Sequence, residues 1–180
     1  MGTRYAIALA FFITWILPFI RKAVGPREKA VVTDTSARWG LNLQRVAIFI
    51  VLVKPSADVP AWRIAIGIMF GMLGTLSGWT ALRHLGKQWS LDAALNANHK
   101  LIQSGPYAVV RNPIYAGMFA MGLCAGLLLA PWPFLIAGMV VFVVGTEVRV
   151  RAEEKLLRSR FGEEFEAYAR RVPAYVPFIR

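Results

Sequence analysis

The chain has 180 residues, 57% of them hydrophobic, and a formal charge of +11 from 21 Lys and Arg against 10 Asp and Glu. Its length allows a single domain, and a mean hydropathy of +0.50 excludes disorder and speaks against a nucleic-acid binder, which is polar and poor in long apolar runs. One cysteine, Cys124, excludes an intramolecular disulfide and a Cys-rich zinc site, and no metal is expected.

A bilayer-crossing helix needs about 17–25 apolar residues, and five stretches are candidates. The first, 5–20, carries Pro18 and runs directly into Arg21 and Lys22 without a small-residue cleavage pattern. It reads as a retained helix, not a secretory signal. The second, 39–53, is interrupted by Asn42, Gln44 and Arg45. An ionisable residue at that depth is costly, so Arg45 is expected to face the bundle, a cavity or an interface, or to snorkel to the headgroups. The third, 61–82, bears Gly67, Gly71, Gly74 and Gly78, a small-residue stripe that Gly122 and Gly126 repeat in the fourth span, 114–130. Such stripes permit close helix approach; packing within one chain is the preferred reading, making a monomer the expectation, with homodimerisation second. The fifth span, 132–145, joins the fourth through Pro131-Trp132-Pro133, which forces a tight helical hairpin. The predicted fold is all-α: a polytopic membrane protein of five transmembrane helices with a cytoplasmic C-terminal helical segment.

Cytoplasmic loops carry the excess of Lys and Arg. Segments 21–38, 83–111 and 149–180 lie on one side of the five spans and hold 17 of the 21 basic residues. The N-terminus is therefore expected outside and the long tail in the cytoplasm, in the inner membrane of a bacterial host or the endoplasmic reticulum of a eukaryotic one.

The connection 83–113 is long and lacks helical period, which is uncommon and often functional. Pro113 suits the first turn of the fourth span, placing Arg111 and Asn112 beside a helix N-terminus that favours a carboxylate or phosphate. Tyr115 and Gly117 follow within one turn, so a ligand can rest close to the backbone at Gly117. The fifth span continues as a polar helix in which Arg149 and Glu153, Glu147 and Arg151, and Glu154 and Arg158 are i,i+4 neighbours. Gly162 is expected to end or bend it, 163–170 to resume it, and 172–178 to close as an extended strap.

Two blocks stand out here. One is His99-Lys100-Leu101-Ile102-Gln103-Ser104-Gly105-Pro106-Tyr107 followed by Arg111-Asn112-Pro113-Ile114-Tyr115-Ala116-Gly117. The other holds Arg149, Glu153-Glu154, Leu157, Phe161-Gly162-Glu163-Glu164-Phe165, Tyr168, Arg171-Val172-Pro173 and Pro177-Phe178. In these blocks, within 83–180, the chain resembles the isoprenylcysteine carboxyl methyltransferase family, integral membrane methyltransferases that use S-adenosylmethionine and release S-adenosylhomocysteine. The N-terminal half matches only as membrane spans. One departure is Asn112, where the family usually has histidine; Asn donates and accepts hydrogen bonds but does not act as a base.

The resemblance implies one membrane methyltransferase domain, with spans 1–82 on the acceptor side and 83–180 forming the cofactor-binding and catalytic part. It places His99 and the Leu101 backbone near adenosine, with Tyr107, Arg111, Asn112, Pro113, Tyr115 and Gly117 around the ribose and methionine parts. Glu154 would meet the methionine ammonium and Arg111 its carboxylate, while Trp89 and Ser90 would line the site. Arg149 and Glu153 are the candidates for the reacting centre. An acceptor carboxylate is already anionic and needs only Arg149 to orient it, whereas an amine acceptor would make Glu153 the base. The acceptor is expected to be lipophilic, of isoprenylcysteine type, and to arrive from the bilayer among membrane lipids. A phospholipid or small lipophile is the alternative acceptor. A non-catalytic lipid-binding protein, with Asn112 marking lost activity, is the alternative of another class; a channel is disfavoured because no span carries a ladder of ionisable groups.

Overall fold

The computed structural model describes residues 2–24, 30–90, 93–96 and 99–175. Pro177 and Phe178 of the predicted strap, and Arg27, Lys29 and Arg180 among the basic residues used for orientation, lie outside the described residues. Each predicted span coincides with a helix: α1 (Gly2–Val24), α2 (Ala37–Val53), α3 (Ala61–Leu85), α4 (Pro113–Leu129) and α5 (Trp132–Phe161), with α6 (Glu163–Arg171) after them. Three of these, α1, α3 and α5, are long and apolar enough to cross a membrane. Helices α2 and α4 have 17 residues each, a rise of about 25 Å against a hydrocarbon thickness of ~30 Å.

The outward faces of the long helices are apolar. Leu9 and Ile13 on α1, Leu73 and Leu76 on α3, and Ile136, Val140, Val143 and Val144 on α5 are each half or more exposed. Grouped into belts on three helices, they form a surface suited to lipid and not to water. Arg45 lies on the outer face of α2, where it donates to Asn42 at 3.2 Å, and faces neither the bundle core nor a cavity.

Local chemistry sets the breaks. Pro18 has no amide to offer the Thr14 carbonyl one turn back; the Trp79 indole of α3 donates to that oxygen at 2.9 Å instead, tying α1 to α3. Gly162 adopts φ 49°, a conformation that costs glycine little, and its amide caps Arg158 as α5 turns into α6. At the hairpin, Gly126 O is capped by the Ala130 amide at 2.9 Å, while Ala130 O lies past the last turn of α4 and has no helical donor. Arg63 supplies them with donors, binding Gly126 O at 3.1 Å and Ala130 O at 2.7 Å while its guanidinium lies 4.5 Å over the Trp132 ring. Arg4 pins the neighbouring loop through Ser56 O and Ala57 O.

The glycine stripe packs inside the chain: Gly67, Gly71 and Gly78 abut Leu128, Phe11 and Trp15. Gly74 on α3 meets the backbone of Gly117 on α4, where a Cβ on Gly74 would stand 2.8 Å from the Gly117 carbonyl. On the other side of the bundle Gly40 on α2 faces Gly145 on α5 in the same way. The core between α2, α4 and α5 is closed by Ala47, Val51, Leu127, Leu135, Met139 and Phe142.

One element was not expected. Strands β1 (Ala30–Thr33) and β2 (Ala94–Asn96) form an antiparallel ribbon in which Val32 pairs with Leu95 and Thr33 with Ala94. It fastens the α1–α2 connection to the long α3–α4 connection, and buried Ala93 and Leu95 pack with Ala37, Ala152 and Leu156.

Gly74→Val is expected to push α3 from α4 and lower stability by about 1–3 kcal/mol, measured as a fall in the thermal unfolding midpoint in detergent. Gly2→Ala, with nothing within 4 Å of the added atom, should leave that midpoint unmoved.

Candidate active site

Beyond its apolar part α5 turns polar, and its three i,i+4 pairs form as spacing predicts: Arg149 with Glu153 at 3.9 Å, Arg151 with Glu147 at 2.7 Å and Arg158 with Glu154 at 3.0 Å. They differ in setting. Arg151 is exposed and gains little from its partner, whereas Arg149 is 6% exposed and sits where α2, α4 and α5 converge. Its guanidinium lies 5.4 Å over the Tyr115 ring, a cation–π arrangement. The Tyr115 hydroxyl donates to the same Glu153 oxygen that faces Arg149. From α2, Gln44 accepts from Arg149 Nη1 at 3.4 Å and donates to Thr146 at 2.9 Å.

Beside this group is a clasp. Arg111, just before α4, directs Nε and Nη2 at Glu154 Oε1, both at 3.1 Å, and Nη1 at the carbonyls of Ala169 and Val172. Its own amide donates to Pro173 O and that of Asn112 to Ala174 O, which also accepts from the Asn112 side chain at 3.2 Å. Tyr168 on α6 donates to Tyr107 O at 2.7 Å. These bonds hold the C-terminal strap, as far as Tyr175, across the start of α4. Burial pushes the Tyr168 phenol up to about 12, with the Arg111 charge opposing and the Glu154 charge adding. Burial likewise raises Tyr107, reinforced by the Glu153 carboxylate.

The clasp and the Arg149–Glu153–Tyr115 group line one cavity of about 530 Å³. His99, Leu101, Tyr107, Arg111, Asn112, Pro113, Tyr115, Arg149, Glu153 and Glu154 all stand in its wall, as do Trp89 and Ser90. Gly117 does not. It faces α3, against Gly74 and Ser77, and permits helix contact there. The cavity also holds residues that motif reading passed over: Trp15, Phe19, Leu41 and Ile48 from the first two helices, and Gln88, whose buried Oε1 accepts no hydrogen bond. A second cavity of about 490 Å³, almost wholly apolar, shares Phe12, Trp15, Ile48 and Met118 with the first. Its wall includes Leu9, Phe12, Ile48 and Leu52, which are also half exposed on the outer surface. Helix α1 packs on α3 and α4 while α2 packs on α5, leaving a cleft between α1 and α2.

Comparison with known proteins identifies the group to which this architecture belongs. Residues 62–164 match the family model described as phospholipid methyltransferase. Protein-S-isoprenylcysteine O-methyltransferase B of Arabidopsis thaliana is 29% identical over 120 residues, covering 66% of this chain and 61% of that protein. Protein-S-isoprenylcysteine O-methyltransferase of Schizosaccharomyces pombe is 31% identical over 112 residues, 61% of this chain and 48% of its own. The cobalt-zinc-cadmium resistance protein CzcN of Cupriavidus metallidurans is 31% identical over 121 residues, 64% and 51% of the two chains. The matched stretches thus span about half to three fifths of these relatives. The family match covers more than half of the chain, from the start of α3 into α6, and the chain belongs to the phospholipid methyltransferase family. The resemblance drawn from the two sequence blocks agrees with the isoprenylcysteine methyltransferases among its relatives.

Removing the Arg111 side chain strips the strap of its donors and leaves Glu154 with Arg158. Arg111→Ala is expected to cost about 3 kcal/mol, as for other broken buried pairs, and to speed amide exchange at Asn112, whose N–H is held by Ala174; unchanged protection there would show that the strap stays without it. The Tyr168 bond should be fully present below pH ~10, where a free phenol is neutral, and be lost as pH rises through about 12. In a phenolate absorbance titration, Tyr168→Phe should therefore remove a late-ionising tyrosine.

Proposed function

We propose that this family member is a five-span membrane enzyme that transfers a methyl group from S-adenosylmethionine to a lipophilic acceptor, and that the acceptor is an isoprenylcysteine-type carboxylate. The observation that carries the reading is the joined pair of cavities: charged groups at one end, apolar walls at the other, and a cleft toward lipid between α1 and α2. A prenyl or acyl chain fits the second cavity without leaving an apolar environment, while its polar end comes to rest near Arg149 and Glu153. The odd number of spans and the placement of basic residues put the N-terminus outside and the site on the cytoplasmic face.

The residues present suit the cofactor. The wall combines an orphaned acceptor on Gln88, the His99 ring, buried tyrosines and the Glu154 carboxylate. Glu154 accepts hydrogen bonds from Arg111 Nε and Arg158 Nη2, and a carboxylate has room for about four, so space remains for an ammonium. Arg111 spends Nε on Glu154 and Nη1 on the two strap carbonyls and faces Glu154 as an ion pair through Nη2, so it serves the strap first and has only Nη2 left to donate to a ligand carboxylate. S-adenosylmethionine, when bound, supplies an electrophilic methyl on a sulfonium. For such a displacement the protein's task is to position the acceptor and exclude water. Arg149 orients an anionic acceptor oxygen, and the strap and α6 close the cytoplasmic side. Residues 83–175 provide most of the cofactor wall, while the acceptor wall is shared between α1 and α2 on one side and α4 and α5 on the other.

A phospholipid amine is the second reading, favoured by the Glu153–Tyr115 pair, in which a carboxylate stands ready to take a proton. Labelled methyl transfer against prenylcysteine, phospholipid and lipid extracts, with products identified by mass spectrometry, separates the two. A base-labile methyl ester on prenylcysteine is expected. Arg149→Ala should lower that transfer at least a hundredfold. Glu153→Gln should lower it less than tenfold, whereas with an amine acceptor the loss of a base would cost about 10²–10⁴. Cofactor bound with no label in any acceptor would overturn the enzymatic reading.

A further inference from the structure

The inner stripe of α2 runs Ala37, Gly40, Gln44, Ala47, Val51. Four of the five are small or apolar and suit an interface with α5 by packing alone. Gln44 is 1% exposed, and a buried amide is costly unless the protein satisfies both of its ends. Arginine has donors and no acceptor, so the Gln44 atom that meets Arg149 is its carbonyl oxygen, at 3.4 Å from Nη1. That turns the amide nitrogen to Thr146, whose hydroxyl oxygen accepts at 2.9 Å. Thr146 and Arg149 are neighbours on one face of α5, so a single amide from α2 spans both. The reach depends on Gly40, one turn earlier, where a Cβ would collide with Gly145 O and the Arg149 side chain. On its other side Arg149 directs Nη2 toward Glu153 at 3.9 Å.

We propose that Gln44 is a positioning residue for methyl transfer: a neutral amide, held by Thr146, that aims the Arg149 guanidinium at the acceptor without cancelling its charge. The inference rests on reading Arg149 as the group that orients the acceptor. A carboxylate at position 44 would hold the guanidinium equally well but neutralise it beside Glu153, and an aliphatic residue would fill the space but leave the long side chain to wander. A glutamine is the residue type that supplies direction and no charge.

The test uses the full chain in lipid nanodiscs, with prenylcysteine as acceptor and S-adenosylmethionine as donor. Gln44→Leu is expected to lower kcat/KM about tenfold to a hundredfold, the scale of misplacing a reacting group by about an ångström. Prenylcysteine affinity, read from tryptophan fluorescence without cofactor, should fall about tenfold. Gln44→Glu, isosteric and harmless were the amide merely structural, should lose as much or more on this anionic acceptor. Thr146→Val should lose several-fold. Adding Gln44→Leu to Arg149→Ala should cause no further loss. If Arg149→Ala is inactive while Gln44→Leu and Gln44→Glu keep wild-type transfer and acceptor affinity, the inference is overturned and the reading of Arg149 survives. If Arg149→Ala transfers normally, both fall. Should Gln44→Leu fail to fold, Gln44→Glu and Thr146→Val decide between the same outcomes.

Discussion

A guanidinium taken out of water inside an apolar bundle must find its partners within the protein, and among the described residues three such groups are buried and a fourth, Arg111, is largely so. Each is satisfied differently. Arg4 and Arg63, at the hairpin end, rest on backbone carbonyls and need no carboxylate. The end of α4 presents carbonyls, Ala130 O beyond the last turn among them, so a cation is favoured there twice over, by hydrogen bonding and by the helix dipole. Arg111 combines a carboxylate with carbonyls and so fastens a distant segment. Arg149 meets a neutral amide, an aromatic face and a carboxylate at 3.9 Å. The first two hold the hairpin end of the bundle, the third fastens the strap across the start of α4, and the fourth is held between a neutral amide and an acidic neighbour.

These arrangements require helices that approach closely. Burying charge demands short, well-aimed contacts, and a helix pair separated by ordinary side chains leaves a glutamine or arginine of the neighbouring helix out of reach. Gly40 against Gly145 brings the α2 backbone to α5 just where Gln44 meets Arg149; Gly74 against Gly117 brings α3 to α4, where Ser77 reaches the Pro113 carbonyl at 2.8 Å and steadies the first turn of α4. The small residues of the spans therefore act at a distance from themselves. They set the spacing that lets polar groups one turn away do chemistry. Where α1 and α2 lack such a pairing the bundle stays open, and the apolar cavity lies there.

Much of this was legible in the residues, and the rest was hidden for identifiable reasons. Apolar runs bounded by Pro and basic residues located five helices, and local rules predicted the break at Gly162 and the three ion pairs of α5, because each depends on neighbours within one turn. Interactions between distant segments left weaker traces. The β1–β2 ribbon pairs residues some sixty positions apart in strands too short to show a period. Arg63 gives no local sign of burial, and only the carbonyls of the hairpin make it sensible. Gly117 looked like room for a ligand, but α3 fills the place. Gln44 looked like a blemish in a weak span; its spacing from Gly40, Ala47 and Val51 would have put it on the inner face, had the period been weighed above the polarity. Arg111 was assigned to a ligand because its motif neighbours were, and nothing local foretold that the tail would return to take its donors.

Asn112 draws these threads together. By the resemblance drawn from the two sequence blocks this position is usually histidine, and a histidine offers two things an asparagine does not: a titratable charge and a general base. Here the side chain is a hydrogen-bond donor to the Ala174 carbonyl, set beside a backbone amide that donates to the same atom. Two donors on one carbonyl fix the strap at the N-terminus of α4. A ring N–H would fill that role equally well, so the geometry at this position asks for donation and not for proton transfer. The carboxylate proposed as base for an amine acceptor is Glu153, which accepts from the Tyr115 hydroxyl and makes no bond to Asn112.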